Sequence, residues 1–200
     1  MSENLIEVIP EGIGKLTNLF YFNLRNNNIS TLPNSISELQ YLEELNLALN
    51  QHFLSPPESS DKPESEAQEQ ELTAKFGKLT AMVKLDLTHT KISTIPKSLE
   101  AMVELKELVM AEIDGLTEIT ASIGACVSLE ILNFRACAIN AIHDHIGWLD
   151  KLIRLDLSKN QLTSTSFPST FLGLKSLKFL VLRYVAYHFL ELPLIHKKKS

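Results

Sequence analysis

The chain has 200 residues, 44% of them hydrophobic and 22% charged, with a net charge of −5 and a mean hydropathy near zero, a composition that fits one globular domain. No run approaches the ~18 consecutive apolar residues that a membrane span needs, so a membrane role is not expected. The acid excess is local: residues 54–71 hold six acids against one lysine, while the rest of the chain balances 18 acids with 18 bases, which excludes nucleic-acid binding through overall charge.

At the N-terminus, Met1-Ser2-Glu3-Asn4 has no basic segment leading into an apolar one, so no secretory signal is visible. Apolar residues then recur with a fixed spacing. Ile6, Ile9-Pro10, Ile13 and Leu16 form a partial unit, and Leu19, Phe22, Leu24, Asn27, Ile29, Leu32-Pro33, Ile36 and Leu39 form the first full one. The next opens with Leu42, Leu45, Leu47 and Asn50, 23 residues on. Further copies start at Met82, Leu105, Leu129 and Leu152, and a last one runs through Leu177, Leu180 and Leu182. Seven units therefore carry a strand. In each LxxLxL the last two apolar residues lie two apart and face one side of a short strand. One strand cannot bury that side alone, so successive units must stack into a parallel sheet with one continuous core.

The slot of Asn27, Asn50 and Asn160 falls where the chain leaves the strand, and an amide there can satisfy donors and acceptors of buried turn backbone. Cys137 takes the same slot, whereas Thr90, Ile113 and Val185 supply no amide. The Leu-Pro or Ile-Pro pair that follows disfavours helix just before the return segment, which is expected to be a short helix or 3-10 turn. With its 23-residue unit and LPxxI signature, the sequence resembles the intracellular leucine-rich repeats of Ras-group scaffolds, of polarity proteins such as Scribble, and of plant Ras-group-related proteins. The resemblance covers nearly the whole chain outside residues 54–71. It implies an α/β solenoid: a curved leucine-rich-repeat horseshoe with a parallel sheet on the concave face and short helices, 3-10 turns or loops on the convex face. Residues 1–200 are then one domain. The unit at Leu105 is one residue longer than standard and that at Leu152 two, and neither end shows a polar cap.

From Leu42 to Met82 is 40 residues, 17 more than one repeat. Aligning backward from Met82 puts Leu72, Phe76 and Leu79 in the slots of Leu32, Ile36 and Leu39, which leaves the excess between about Leu54 and Glu71. Rich in Pro, Ser and acids, residues 54–71 read as a disordered insertion. Ser55-Pro56 suits a proline-directed kinase, which makes Ser55 a candidate phosphorylation site.

Several apparent chemical motifs dissolve into the repeat. Gly12-Ile13-Gly14-Lys15-Leu16-Thr17 lacks the Ser or Thr that must follow the lysine of a phosphate-binding loop, and Gly77-Lys78-Leu79-Thr80 fills the same slot. His143 of His143-Asp144-His145 sits in the slot of Pro33, with no partner at metal-ligand spacing. Cys126 fills the apolar slot of Leu39, and both cysteines read as buried structural thiols; two are too few for a disulfide framework. Asn28-Ile29-Ser30 matches a glycosylation acceptor, which matters only in a secreted chain. No catalytic residues, metal or cofactor are expected, and the setting reads as cytoplasmic.

What the repeat leaves free is the sheet face. Strand alternation points Tyr21, Asn23 and Arg25, then Glu44 and Asn46, Lys84 and Asp86, and Glu107 outward on the early and middle units. Ile131, Asn133 and Arg135, Arg154 and Asp156, and Phe179 and Arg183 follow on the late ones. Late units concentrate bases and exposed apolar residues, the composition of interface centres, so an acidic segment of a partner protein is expected over them. The expected function is a protein-interaction module or scaffold; the family resemblance implies intracellular signalling, with a small GTPase as one partner. The alternative is the recognition or autoinhibitory arm of a larger enzyme, such as a kinase or ubiquitin ligase.

Overall fold

The computed structural model describes residues 5–55 and 64–185. Among the described residues there are nine strands: β1 Tyr21–Asn23, β2 Glu44–Asn46, β3 Lys84–Asp86, β4 Glu107–Val109, β5 Glu118–Ile119, β6 Ile131–Asn133, β7 Ala141–Ile142, β8 Arg154–Asp156 and β9 Phe179–Val181. Seven of them form one parallel sheet in the order β1-β2-β3-β4-β6-β8-β9, and β5 pairs with β7 beside it. The register puts repeat equivalents opposite one another, with Leu45 against Phe22 and Leu85, and Leu132 against Leu108 and Leu155. These inward residues line a single core in which Leu45, Leu85, Leu108, Leu132 and Leu155 are all buried. Each such side chain contributes about 2 kcal/mol of burial.

The chain leaves every sheet strand through the same corner. Asn26, Leu49, His89, Glu112, Ala136, Lys159 and Tyr184 all adopt left-handed backbone, with φ between 56° and 61°. Each stands immediately before the Asn slot, and none is glycine. Such backbone costs an ordinary residue ~1–2 kcal/mol; here the next repeat holds it, since the amide of Asn26 donates to Ala48 O and that of Ala136 to Ser158 O at 2.9 and 2.8 Å.

Asn50 fills its slot as an amide can: Oδ1 accepts from Ile29 N–H at 3.1 Å, and Nδ2 donates to Leu24 O and Leu47 O at 3.0 and 2.8 Å. Asn160 repeats the pattern on Ile139, Phe134 and Leu157. Thr90 and Cys137 keep only part of it. The hydroxyl of Thr90 donates to Leu87 O at 2.8 Å and the thiol of Cys137 to Met110 O at 3.1 Å.

On the return side the helices are 3-10 turns, at Glu11–Lys15, Asn34–Glu38, Lys97–Ala101, Ala121–Ala125, Asp144–Trp148 and Ser169–Gly173. Pro10, Pro33, Pro96, Thr120, His143 and Pro168 precede them in extended backbone. His143 is thus a turn-entry residue, its Nδ1 accepting from His145 N–H at 3.1 Å. The glycine slot also has a steric reason: a Cβ on Gly147 would lie 2.2 Å from Thr170 O, and one on Gly124 would lie 2.7 Å from His145 Cβ.

The insertion requires a correction. Residues 54–71 were expected to be disordered throughout, yet Glu64–Phe76 is an α-helix, α1, packed between the turns at Asn34–Glu38 and Lys97–Ala101. It takes the place of the missing 3-10 turn of the second unit. Leu72, Phe76 and Leu79 are fully buried in the slots assigned to them, and Gln68 and Lys75 lie on the same side. Gln68 Nε2 donates to Leu54 O and Lys91 O at 2.8 and 2.9 Å. Lys75, only 5% exposed, is held by Glu71 and the hydroxyl of Thr31. Of its other acids, Glu66 is exposed and Glu69 accepts from Lys97 N–H at 2.8 Å. High polarity did not prevent order because one stripe of the helix is apolar and the repeats on either side bury it. Phe53, wholly buried, accepts Lys91 N–H as Ile139 accepts Gln161 N–H, so it fills the slot of Ile29. Pro56 lies outside the described residues, as do Met1 to Asn4 and the chain after Val185.

Candidate partner-binding face

The strands present three outward rows. The first, set by strand register, runs Tyr21, Glu44, Lys84, Glu107, Ile131, Arg154, Phe179 across seven adjacent strands. Its charges in the middle satisfy one another: Lys84 Nζ lies 2.9 Å from Glu107 Oε2. That hydrogen bond, with the nearby carboxylates of Glu107, Glu44 and Asp86, raises the Lys84 ammonium above its ordinary pKa. Exposed apolar groups stand at the two ends, Tyr21 at 46% and Phe179 at 55%, and on the far side of Arg154 from Phe179, Ile131 at 36%.

The second row has a different use. Oδ1 of Asn23, Asn46, Asp86, Asn133 and Asp156 each accepts the amide two residues on, from Arg25, Ala48, Thr88, Arg135 and Ser158, at 2.9–3.0 Å. These are Asx turns that steer the chain out of the strand. Asp86 and Asp156 also accept the hydroxyls of Thr88 and Ser158. Asp156 corrects the sequence reading outright: it is 8% exposed, enclosed by its own turn rather than offered to a partner. Recurrence at one repeat slot was the available signal, since a residue type that returns with the period serves the period. Val109 and Val181 break this row.

In the third row Ala48, Ala111 and Ser158 are buried. Arg135, expected among the partner-facing bases, has its Nη1 2.9 Å from Glu112 Oε1, and His89 Nδ1 approaches the other oxygen of Glu112 at 3.7 Å. The corner residue Glu112 thus faces two neighbouring repeats, pairing with the guanidinium of one and lying beside the imidazole of the other. Arg25, Arg154 and Arg183 are exposed and form no ion pair among the described residues. The face is therefore internally neutralised in the middle and open at both ends, most of all over β6, β8 and β9.

Ser55 is exposed at the head of the insertion, its amide donating to His52 O at 3.0 Å. Among the described residues no group of three or more His, Cys, Asp or Glu could hold a metal ion, and no helix is long and apolar enough to cross a membrane. Burial pushes the Cys126 thiol up to about 12 and the half-buried Cys137 thiol up to about 11.

This architecture, a stacked parallel sheet with 3-10 turns on the return side, is that of a leucine-rich-repeat solenoid. Family models for the leucine-rich repeat match residues 1–51 and 151–174. No curated protein matches the chain. Among solved structures it is similar to the ectodomain of the plant membrane receptor kinase GASSHO1/SCHENGEN3 from Arabidopsis thaliana, solved in complex with CASPARIAN STRIP INTEGRITY FACTOR 2. The identity is 28% and the TM-score 0.69, over 92% of this chain and 21% of that one. It is also similar to a leucine-rich-repeat protein, LIC12759, of Leptospira interrogans, at 23% identity and a TM-score of 0.49, over 92% of this chain and 54% of that one. The chain thus spans about a fifth of the length of the first and about half of the second.

Proposed function

We propose that the chain is a protein-interaction module that holds its partner on the sheet face. One observation carries this reading: the outermost row ends in exposed Ile131, Arg154 and Phe179 on three adjacent strands, where apolar and cationic groups have no partner within the described residues. Aromatic and arginine side chains gathered in this way are the anchors of protein interfaces. A scaffold in intracellular signalling, in the manner of Ras-group repeats and with a small GTPase among its partners, fits the repeat length. A cytoplasmic setting accords with Cys126 and Cys137, which are free thiols. Phosphate on Ser55 would add charge beside an acidic segment and act as a regulatory mark.

The similarity to a receptor kinase ectodomain favours a second reading, that these repeats are the recognition arm of a larger enzyme. The full-length transcript distinguishes the two. Affinity capture from the native cell tests the main reading, using the wild type, a double variant Lys84→Glu/Arg154→Glu on the sheet face, and Trp148→Ala on the return side. A partner lost only by the first variant is expected. One lost only by the second would refute it.

A further inference from the structure

We infer that the late sheet face takes an extended acidic segment of a partner protein, in which one carboxylate lies between two apolar side chains three residues apart. This rests on the sheet-face reading above and specifies the partner.

Ile131, Arg154 and Phe179 are direct neighbours on β6, β8 and β9. Parallel strands lie ~4.8 Å apart, so the two apolar groups are separated by about 10 Å; a segment extended as polyproline II covers about that distance in three residues and, with three residues per turn, returns its side chain to the same face. A segment crossing the strands can therefore set one apolar residue on Ile131, another on Phe179, and an intervening side chain over Arg154.

Charge fixes what that side chain is. Arg154 is exposed and has no ion pair among the described residues, in contrast to Lys84 and Arg135. Its flanking apolar groups exclude water once covered, which strengthens a guanidinium–carboxylate pair. The acid nearest by sequence, Asp156, does not compete, because Oδ1 is bonded to Ser158 and the residue is buried. Lys178 and Arg183 border the patch on either side of β9, and Lys159 stands over the Tyr184 ring, 5.9 Å from its centre. A basic segment would meet the like charges of Arg154, Lys178 and Arg183, and an uncharged apolar one would leave Arg154 covered and unpaired.

Selection of linear decapeptides from a random display library on the whole chain tests the inference. Enriched peptides should carry Asp or Glu between two apolar residues three apart. A synthetic copy should bind Arg154→Glu and Arg154→Gln at least tenfold more weakly, bind Phe179→Ala several-fold more weakly, and bind Trp148→Ala unchanged. All these positions are exposed, and an unaltered melting temperature confirms that each variant is folded. Enrichment of basic or uncharged peptides, no enrichment at all, or equal binding to Arg154→Glu would overturn the proposal. So would sedimentation showing a dimer of the chain that Arg154→Glu dissociates, since the face would then belong to a second copy. A partner captured through the sheet face in a cell, together with failure of the peptide selection, would remove this inference and leave the broader reading standing.

Discussion

Gln68 on α1 and Ser93 on the third unit are joined twice by one side-chain oxygen: Gln68 Oε1 accepts both the amide and the hydroxyl of Ser93, each at 2.9 Å. The other end of the same amide reaches Leu54 O and Lys91 O. One buried side chain thus fastens the inserted helix to the backbone on both sides of it.

Replacing Gln68 with Ala should therefore cost about 2–4 kcal/mol, because several buried backbone groups would lose their partner together. The exposed Gln70→Ala on the same helix should change stability by less than about 0.5 kcal/mol. Urea denaturation measures both. Hydrogen exchange on Gln68→Ala should show the amides of α1 exposed well before those of the sheet, since loosening begins where the fastening was cut.

The repeat was legible in the sequence because its period is imposed by burial, and each slot of Leu, Ile or Phe reports one position in the core. Gln68 was not. A glutamine within an acidic segment gives no sign that its amide will meet Leu54 O and Ser93, since those partners are brought to it by the stacking of distant units. The sheet face divides similarly. Strand alternation identified which residues point outward, but not that Asn23, Asn46, Asp86, Asn133 and Asp156 would turn their oxygens back to the chain. Nor did it show that Arg135 would meet Glu112, because that contact depends on a left-handed corner in the preceding unit. Arg154 is exposed and without an ion pair among the described residues, and its neighbours in the row are the apolar Ile131 and Phe179.

The Asn slot makes a graded prediction. Asn160→Ala strips a buried partner from Ile139 N–H, Phe134 O and Leu157 O at once and should cost about 2–4 kcal/mol. Thr90→Val removes a single bond to Leu87 O and should cost about 1 kcal/mol. Equilibrium unfolding of the two variants side by side gives the ranking. Equal losses would mean that the amide is valued for its volume rather than its bonds.

Close approach of successive 3-10 turns predicts where a methyl group is tolerated. Gly147→Ala would force a Cβ to 2.2 Å from Thr170 O, whereas Gly12→Ala meets nothing within 4 Å. Neither glycine has positive φ, so the difference is steric. The first substitution should lower stability by about 2–3 kcal/mol, in the range of overpacked cores, and the second should be neutral or slightly stabilising through its unfolded state. Thermal melting of both variants checks this.

The thiols predict a dependence on pH. Burial raises Cys126 to about 12 and Cys137 to about 11, against 9.0 for an ordinary thiol. The thiolate is the reactive form, so neither residue should react with a disulfide reagent at pH 8 in the native protein, while both should react in denaturant. A raised folded-state pKa means that the folded chain holds its protons longer. The associated stability is complete below pH 9 and is lost as pH rises toward the folded values. Between pH 9 and 10.5 each thiol should lower stability by up to about 1.4 kcal/mol per pH unit. Urea midpoints of the wild type and of Cys137→Ala across that window measure the effect: the slope should be shallower in the variant, and equal slopes would show that Cys137 ionises as freely in the folded chain as in the unfolded one.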